Sequence, residues 1–115
     1  MPPNRDNATL LDIARAARLI LEFKGNVSKD DFGDDPKTQS AILHQLLVIG
    51  EATKRLSIEF REQHADVPWG LMAGMRDNLI HDYDDVDLGE VWKTVEADVP
   101  ALLKAIEPLL PPEEG

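Results

Sequence analysis

The stretch from Asp35 to His64 constrains the fold more than any other part of this chain. Ile42, Leu46, Ile49, Leu56 and Phe60 recur at helical spacing, and Leu43, Leu47 and Gly50 form a second apolar stripe beside the first. Asp35 followed by Pro36 reads as an N-cap and a first helical residue, because proline needs no amide partner there. The pattern predicts one long helix from Pro36 to about His64, with its middle covered on more than one side. Such a segment belongs at the centre of a helical bundle. Gly50 is intrinsically unfavourable inside a helix. The close approach of another helix would account for it, and a partner subunit over the second stripe is the sharper alternative.

The remaining helices follow from the same periodicity. Leu10, Ile13, Ala17, Ile20 and Leu21 give a helix over about Ala8 to Lys24, ended by Gly25-Asn26, with Met1 to Asn7 read as a loose start. Ser28 and Asp31 predict a short capped turn reaching Phe32, before a break at Gly33-Asp34-Asp35. A third main helix is expected over Trp69 to His81, its start made apolar by Pro68, Trp69, Leu71, Met72 and Met75. Asp87 and Glu90 announce a fourth, with Val91, Trp92, Val95, Val99, Leu102, Leu103 and Ile106 on its buried face. Pro100 lacks an amide donor and predicts a kink near Val99. Pro111 to Gly115 reads as a tail. No stretch alternates like a strand and no repeat is visible, so the expectation is one all-α domain over residues 1–115, an up-down bundle of four main helices.

Length and charge bound what such a bundle does. At 115 residues the chain can bury one core. It has no cysteine, which excludes disulfides and thiolate metal sites. Charged residues within the first twenty positions exclude a secretory leader, and no apolar run is long enough for a membrane span, so a cytoplasmic protein is expected. Twelve basic against 22 acidic side chains leave a net charge of −10. Nucleic-acid binding over a long footprint needs many cations. A chain this acidic can touch only a few nucleotides, and its charge favours a basic protein partner.

The chemistry concentrates in Met75-Arg76-Asp77-Asn78-Leu79-Ile80-His81-Asp82-Tyr83. An arginine fork holds a phosphate by two parallel hydrogen bonds and stays charged. An imidazole moves protons near neutral pH. Together they are the minimum for cleaving a phosphodiester without a metal. Arg76 and His81 stand about 140° apart around a regular helix, so they meet only if the helix distorts or a second copy contributes. Asp77 and His81 share a face and the carboxylate is placed to orient the imidazole. Taken singly, these residues have blander readings: an exposed ion pair for Arg76, a dipole-favoured helix end for His81 and a packing ring for Tyr83. His44, His64, Trp69 and Trp92 are read as structural. Asp82, Asp84, Asp85 and Asp87 lack the spacing and turn glycine of a calcium loop, so no metal site is expected.

The arrangement Arg76…His81-Asp82-Tyr83, with a polar residue directly after the arginine, resembles the signature of the HepT-like toxins of the HEPN superfamily. Val48 to Ser57 resembles that family's long second helix. Val67-Pro68-Trp69 with Ala73 to Arg76 resembles its approach to the site, and Val91-Trp92 its last helix. Four blocks in the right order cover roughly Leu10 to Leu110. The resemblance implies a homodimer whose interface cleft collects Arg76 and His81. It implies a metal-independent, cofactor-free endoribonuclease, the toxin of a type II toxin–antitoxin pair acting on RNA and not DNA. It also implies an MNT-type nucleotidyltransferase antitoxin that places AMP on Tyr83. Two other readings stay open: a non-catalytic helical dimer that binds a nucleotide or regulates a nucleotidyltransferase, which the net charge favours, and an antitoxin.

Overall fold

The computed structural model describes residues 4–81 and 85–111, and every regular element among them is helical. In chain order these are α1 (Asn4–Lys24), α2 (Lys29–Gly33), α3 (Pro36–Arg55), α4 (Ile58–Gln63), α5 (Trp69–His81), α6 (Leu88–Lys93), a π-helical turn (Thr94–Asp98), α7 (Val99–Ile106) and a 3₁₀ turn (Glu107–Leu109). The bundle is built from α1, α3, α5 and the α6–α7 run, with α2 and α4 as short connectors.

Local signals placed most of the boundaries. The Ser28 hydroxyl accepts from the Asp31 amide at 3.1 Å and opens α2. The Asp35 carboxylate accepts from the Thr38 amide at 3.1 Å and from its hydroxyl at 2.6 Å, which opens α3 at Pro36. Asp87 accepts from the amides of Gly89 and Glu90 and opens α6. Gly25 ends α1 in the left-handed region at φ +46°, with its amide bonded to Leu21 O.

Two expectations need correction. α1 starts at Asn4, not near Ala8. Its first turn is held because both oxygens of Asp6 are engaged by Ser57, one by its amide at 3.0 Å and one by its hydroxyl at 2.8 Å. The same contact explains why α3 does not run on to His64. Leu56 turns to an extended conformation, and Ser57 then caps α4 by accepting from the Phe60 amide at 3.0 Å. Phe60 consequently leaves the core stripe and stacks between His64 and Trp69, at 4.5 and 6.1 Å between ring centroids. At the other end, the break expected near Val99 takes the form of the π-helical turn. Pro100 offers no amide to a carbonyl one turn back, and the wider turn just before it absorbs the mismatch.

The core lies along the α1–α3 seam, with α5 on the far side of α3 and α7 on α1. Leu10, Ile13, Ala17 and Ile20 meet Ile42, Leu46 and Ile49, all essentially without exposure. Trp69, Met72 and Leu79 bury the inner face of α5, whereas Leu71 is 51% exposed. Phe32 anchors α2 against Trp92 at 5.3 Å, and the Gln39 amide donates to the carbonyls of Phe32 and Gly33. Both tryptophans are core residues, as their patterns predict. The tail 112–115 and the first three residues lie outside the described residues.

Candidate functional site

The central turn of α3 and the middle of α5 come together at Gly50. A Cβ on Gly50 would lie 2.1 Å from the Cβ of Arg76 and 3.1 Å from the Met72 carbonyl. The close helix approach inferred from the sequence is therefore present, and the residue it admits is the arginine of the motif. Glycine is required by what stands opposite.

That approach brings Arg76 to the residues following Gly50. The Arg76 Nε–H donates to Glu51 Oε1 at 2.6 Å, and the Nη2 group meets the same oxygen. The Nη1 group donates to Asp77 Oδ1 at 3.0 Å. Asp77 Oδ1 also accepts from Lys54 Nζ at 2.6 Å. Two cations and two carboxylates thus form a four-residue cluster of zero formal charge on an acidic molecule. The Arg76 side chain is 26% exposed, enough to reach a ligand while its stem is packed against α3.

The electrostatics follow from these contacts. Asp77 and Glu51 raise the Arg76 guanidinium above its already high ordinary value. Lys54, and then Arg76, hold the Asp77 carboxyl below the usual carboxylate value. Both shifts favour the charged forms of Arg76 and Asp77. Such a cluster presents a guanidinium and an ammonium to an anion.

His81 is the last residue of α5, five positions after Arg76. Its side chain, and all of Tyr83, lie outside the described residues, as do Asp82 and Asp84. Asp77, expected to orient His81, has Lys54 and Arg76 as its described partners. His44 and His64 are not among the partners of Arg76; His44 is exposed and His64 packs on Phe60. Among the described residues no three His, Asp or Glu side chains converge as metal ligands would. Glu51 and Lys54 are the site residues that sequence reasoning missed. They lie 25 and 23 positions from their partners, and the signals that pointed to that turn of α3 were Gly50 and the resemblance over Val48 to Ser57.

A separate groove of about 640 Å³ runs between the outer face of α5 and the α6 region. Gly70, Leu71, Gly74 and Met75 line one wall, and Asp87, Glu90 and Asp98 are among the residues lining the other; the four residues of the cluster are not part of it.

The sequence that folds into this bundle matches a known family. The model of that family, described as ribonuclease HepT-like, matches residues 13–109, and the chain belongs to it. The chain is 46% identical over 100 residues to a protein of Thermococcus cleftensis named "Probable ribonuclease HepT", covering 87% of this chain and 91% of that one. It is 39% identical over 102 residues to a "Putative RNase" of Caldanaerobacter subterraneus subsp. tengcongensis, covering 89% and 91%. It is 38% identical over 115 residues to a "Putative RNase" of Methanocaldococcus jannaschii, covering 100% and 95%. No solved structure matches the chain.

Proposed function

We propose that this chain is a metal-independent endoribonuclease, the toxin of a toxin–antitoxin pair. The observation that carries this reading is the fixed, partly exposed guanidinium of Arg76 on the helix that ends in His81, in a chain of the HepT-like ribonuclease family. In the mechanism, one His81 takes the proton of a ribose 2′-hydroxyl. The 2′-oxygen forms a bond to phosphorus as the bond to the 5′-oxygen breaks. A second His81, from another copy, protonates the leaving oxygen. Arg76 stabilises the extra negative charge on phosphorus. The products are a 2′,3′-cyclic phosphate and a 5′-hydroxyl.

The use of two copies is favoured by helix geometry, since residues five apart diverge by about 140° around a regular helix and a second copy would bring an Arg76 and a His81 together. The outer face of α5 supports it, with Leu71 half exposed and open space at Gly70 and Gly74. RNA cleavage in excess EDTA by wild type, Arg76→Ala and His81→Ala is the test. Cleavage that requires magnesium, or that persists in both variants, removes the proposal.

The partner is proposed to be an MNT-type nucleotidyltransferase that transfers AMP to Tyr83, the single tyrosine of the chain. The added phosphate would compete for Arg76 and repel RNA. Intact mass after co-expression with the neighbouring gene product reads this directly, and an unmodified Tyr83 counts against it. The net charge of −10 favours a second reading, a non-catalytic regulatory partner of a nucleotidyltransferase. The two part on growth arrest: it disappears in His81→Ala if the chain is a ribonuclease.

A further inference from the structure

Carboxylates face Arg76 on two sides. Glu51 takes its Nε and Nη2 side and Asp77 takes Nη1, so a phosphate that uses the Nη1 side competes with Asp77. The two are not held equally. Glu51 meets two nitrogens of the guanidinium, whereas Asp77 meets one. Asp77 Oδ1 is instead shared between Arg76 Nη1 at 3.0 Å and Lys54 Nζ at 2.6 Å. One anionic oxygen bracketed by a guanidinium and an ammonium is the arrangement that a phosphate oxygen would adopt. Lys54 and Asp77 are about two-fifths and one-half exposed, so the exchange needs no opening of the core.

We propose that Lys54 is a second phosphate-binding cation of this site, and that Asp77 fills the phosphate position in the free protein. The inference rests on the ribonuclease reading for the identity of the ligand, an RNA backbone phosphate. On binding, a phosphate oxygen takes the place of Asp77 Oδ1 between Arg76 and Lys54, while Glu51 keeps Arg76 in position. No covalent bond changes. Asp77 is left one helical turn before His81, free to turn towards the histidine.

The experiment is a double-mutant cycle on Lys54 and Asp77, read by fluorescence anisotropy with a short 2′-O-methyl oligoribonucleotide that lacks the attacking hydroxyl. Asp77→Asn is expected to tighten binding, by about tenfold if one competing charge-assisted bond is removed. Lys54→Ala is expected to weaken it by a similar factor and to lower the salt dependence by about one phosphate. The deciding arm is Lys54→Ala in the Asp77→Asn background. If Lys54 serves only to pair with Asp77, that change has no effect on binding, and the proposal fails. Loss of affinity there, with rescue by Lys54→Arg, establishes a phosphate contact. Circular dichroism melts confirm that each variant is folded. Lys54-dependent binding without cleavage of ordinary RNA overturns the ribonuclease reading but leaves the phosphate position standing. Cleavage that is indifferent to Lys54 does the reverse. Absence of any binding to the oligoribonucleotide overturns the proposal.

Discussion

Gly50 and Arg76 occupy one contact, with only 2.1 Å between the Arg76 Cβ and the position a Cβ of Gly50 would take. The contact is between two helix backbones and the root of a side chain, so no rotamer change relieves it. Gly50→Ala should force α3 and α5 apart. Overpacking of this kind costs about 1–3 kcal/mol, and here it also shifts Arg76 relative to Glu51. Thermal melts should show the stability loss, and cleavage or RNA binding should fall by more than stability alone explains. An alanine at position 50 that leaves both unchanged would contradict the packing described.

Arg76→Ala should lower RNA cleavage about 10²–10³-fold, the usual effect of removing one donor that stabilises transition-state charge. Arg76→Lys should recover little, because an ammonium cannot span Glu51 and Asp77 as the guanidinium does. Glu51→Gln should keep the fold and lower cleavage through loss of Arg76 orientation. Single-turnover rates on one RNA substrate compare all three.

Ser57→Ala removes an N-cap and both hydroxyl contacts, with Asp6 and with the Phe60 amide. A cap of this type contributes about 1 kcal/mol, and the loss of the Asp6 contact should add to it. Asp6→Ala should destabilise the same corner. The double variant should cost less than the sum of the two, since they share a partner. Urea denaturation of the three proteins measures this.

Acid should weaken the fold through Asp35 and Asp77. Hydrogen bonds from Thr38 hold the Asp35 carboxyl below its ordinary value of 3.8, and Lys54 and Arg76 do the same for Asp77. A carboxyl with a depressed folded value stabilises the protein above its unfolded value and loses that contribution as pH falls through the folded one. The urea midpoint should therefore be insensitive to these groups above about pH 5 and fall below about pH 4. Asp35→Asn and Asp77→Asn should each show a shallower fall. An equally steep fall in both variants would place the acid sensitivity elsewhere.

What could be read from the sequence was what has a local cause. Ser28, Asp35 and Asp87 each cap a helix through an amide two or three positions on, and Gly25 ends one through its own backbone freedom. Those boundaries needed only neighbouring residues. The break at Leu56–Ser57 was invisible because its cause, Asp6, lies 51 positions away and the apolar periodicity runs straight through it. The extra first turn of α1 was missed for the same reason. At the site, Arg76 could be named from the motif and Gly50 suspected from its cost in a helix. Glu51 and Lys54 became partners of that motif only once α3 and α5 were set side by side.

Asp6 is fastened to a residue that is made long after it. Until Ser57 has left the ribosome, the two hydrogen bonds it gives to that carboxylate cannot form, and the opening turn of the protein lacks them. The start of the molecule is therefore finished by residue 57 as well as by its own neighbours. A fragment cut before that serine should show fast amide exchange at Asn7 and Ala8 even where the rest of α1 is helical.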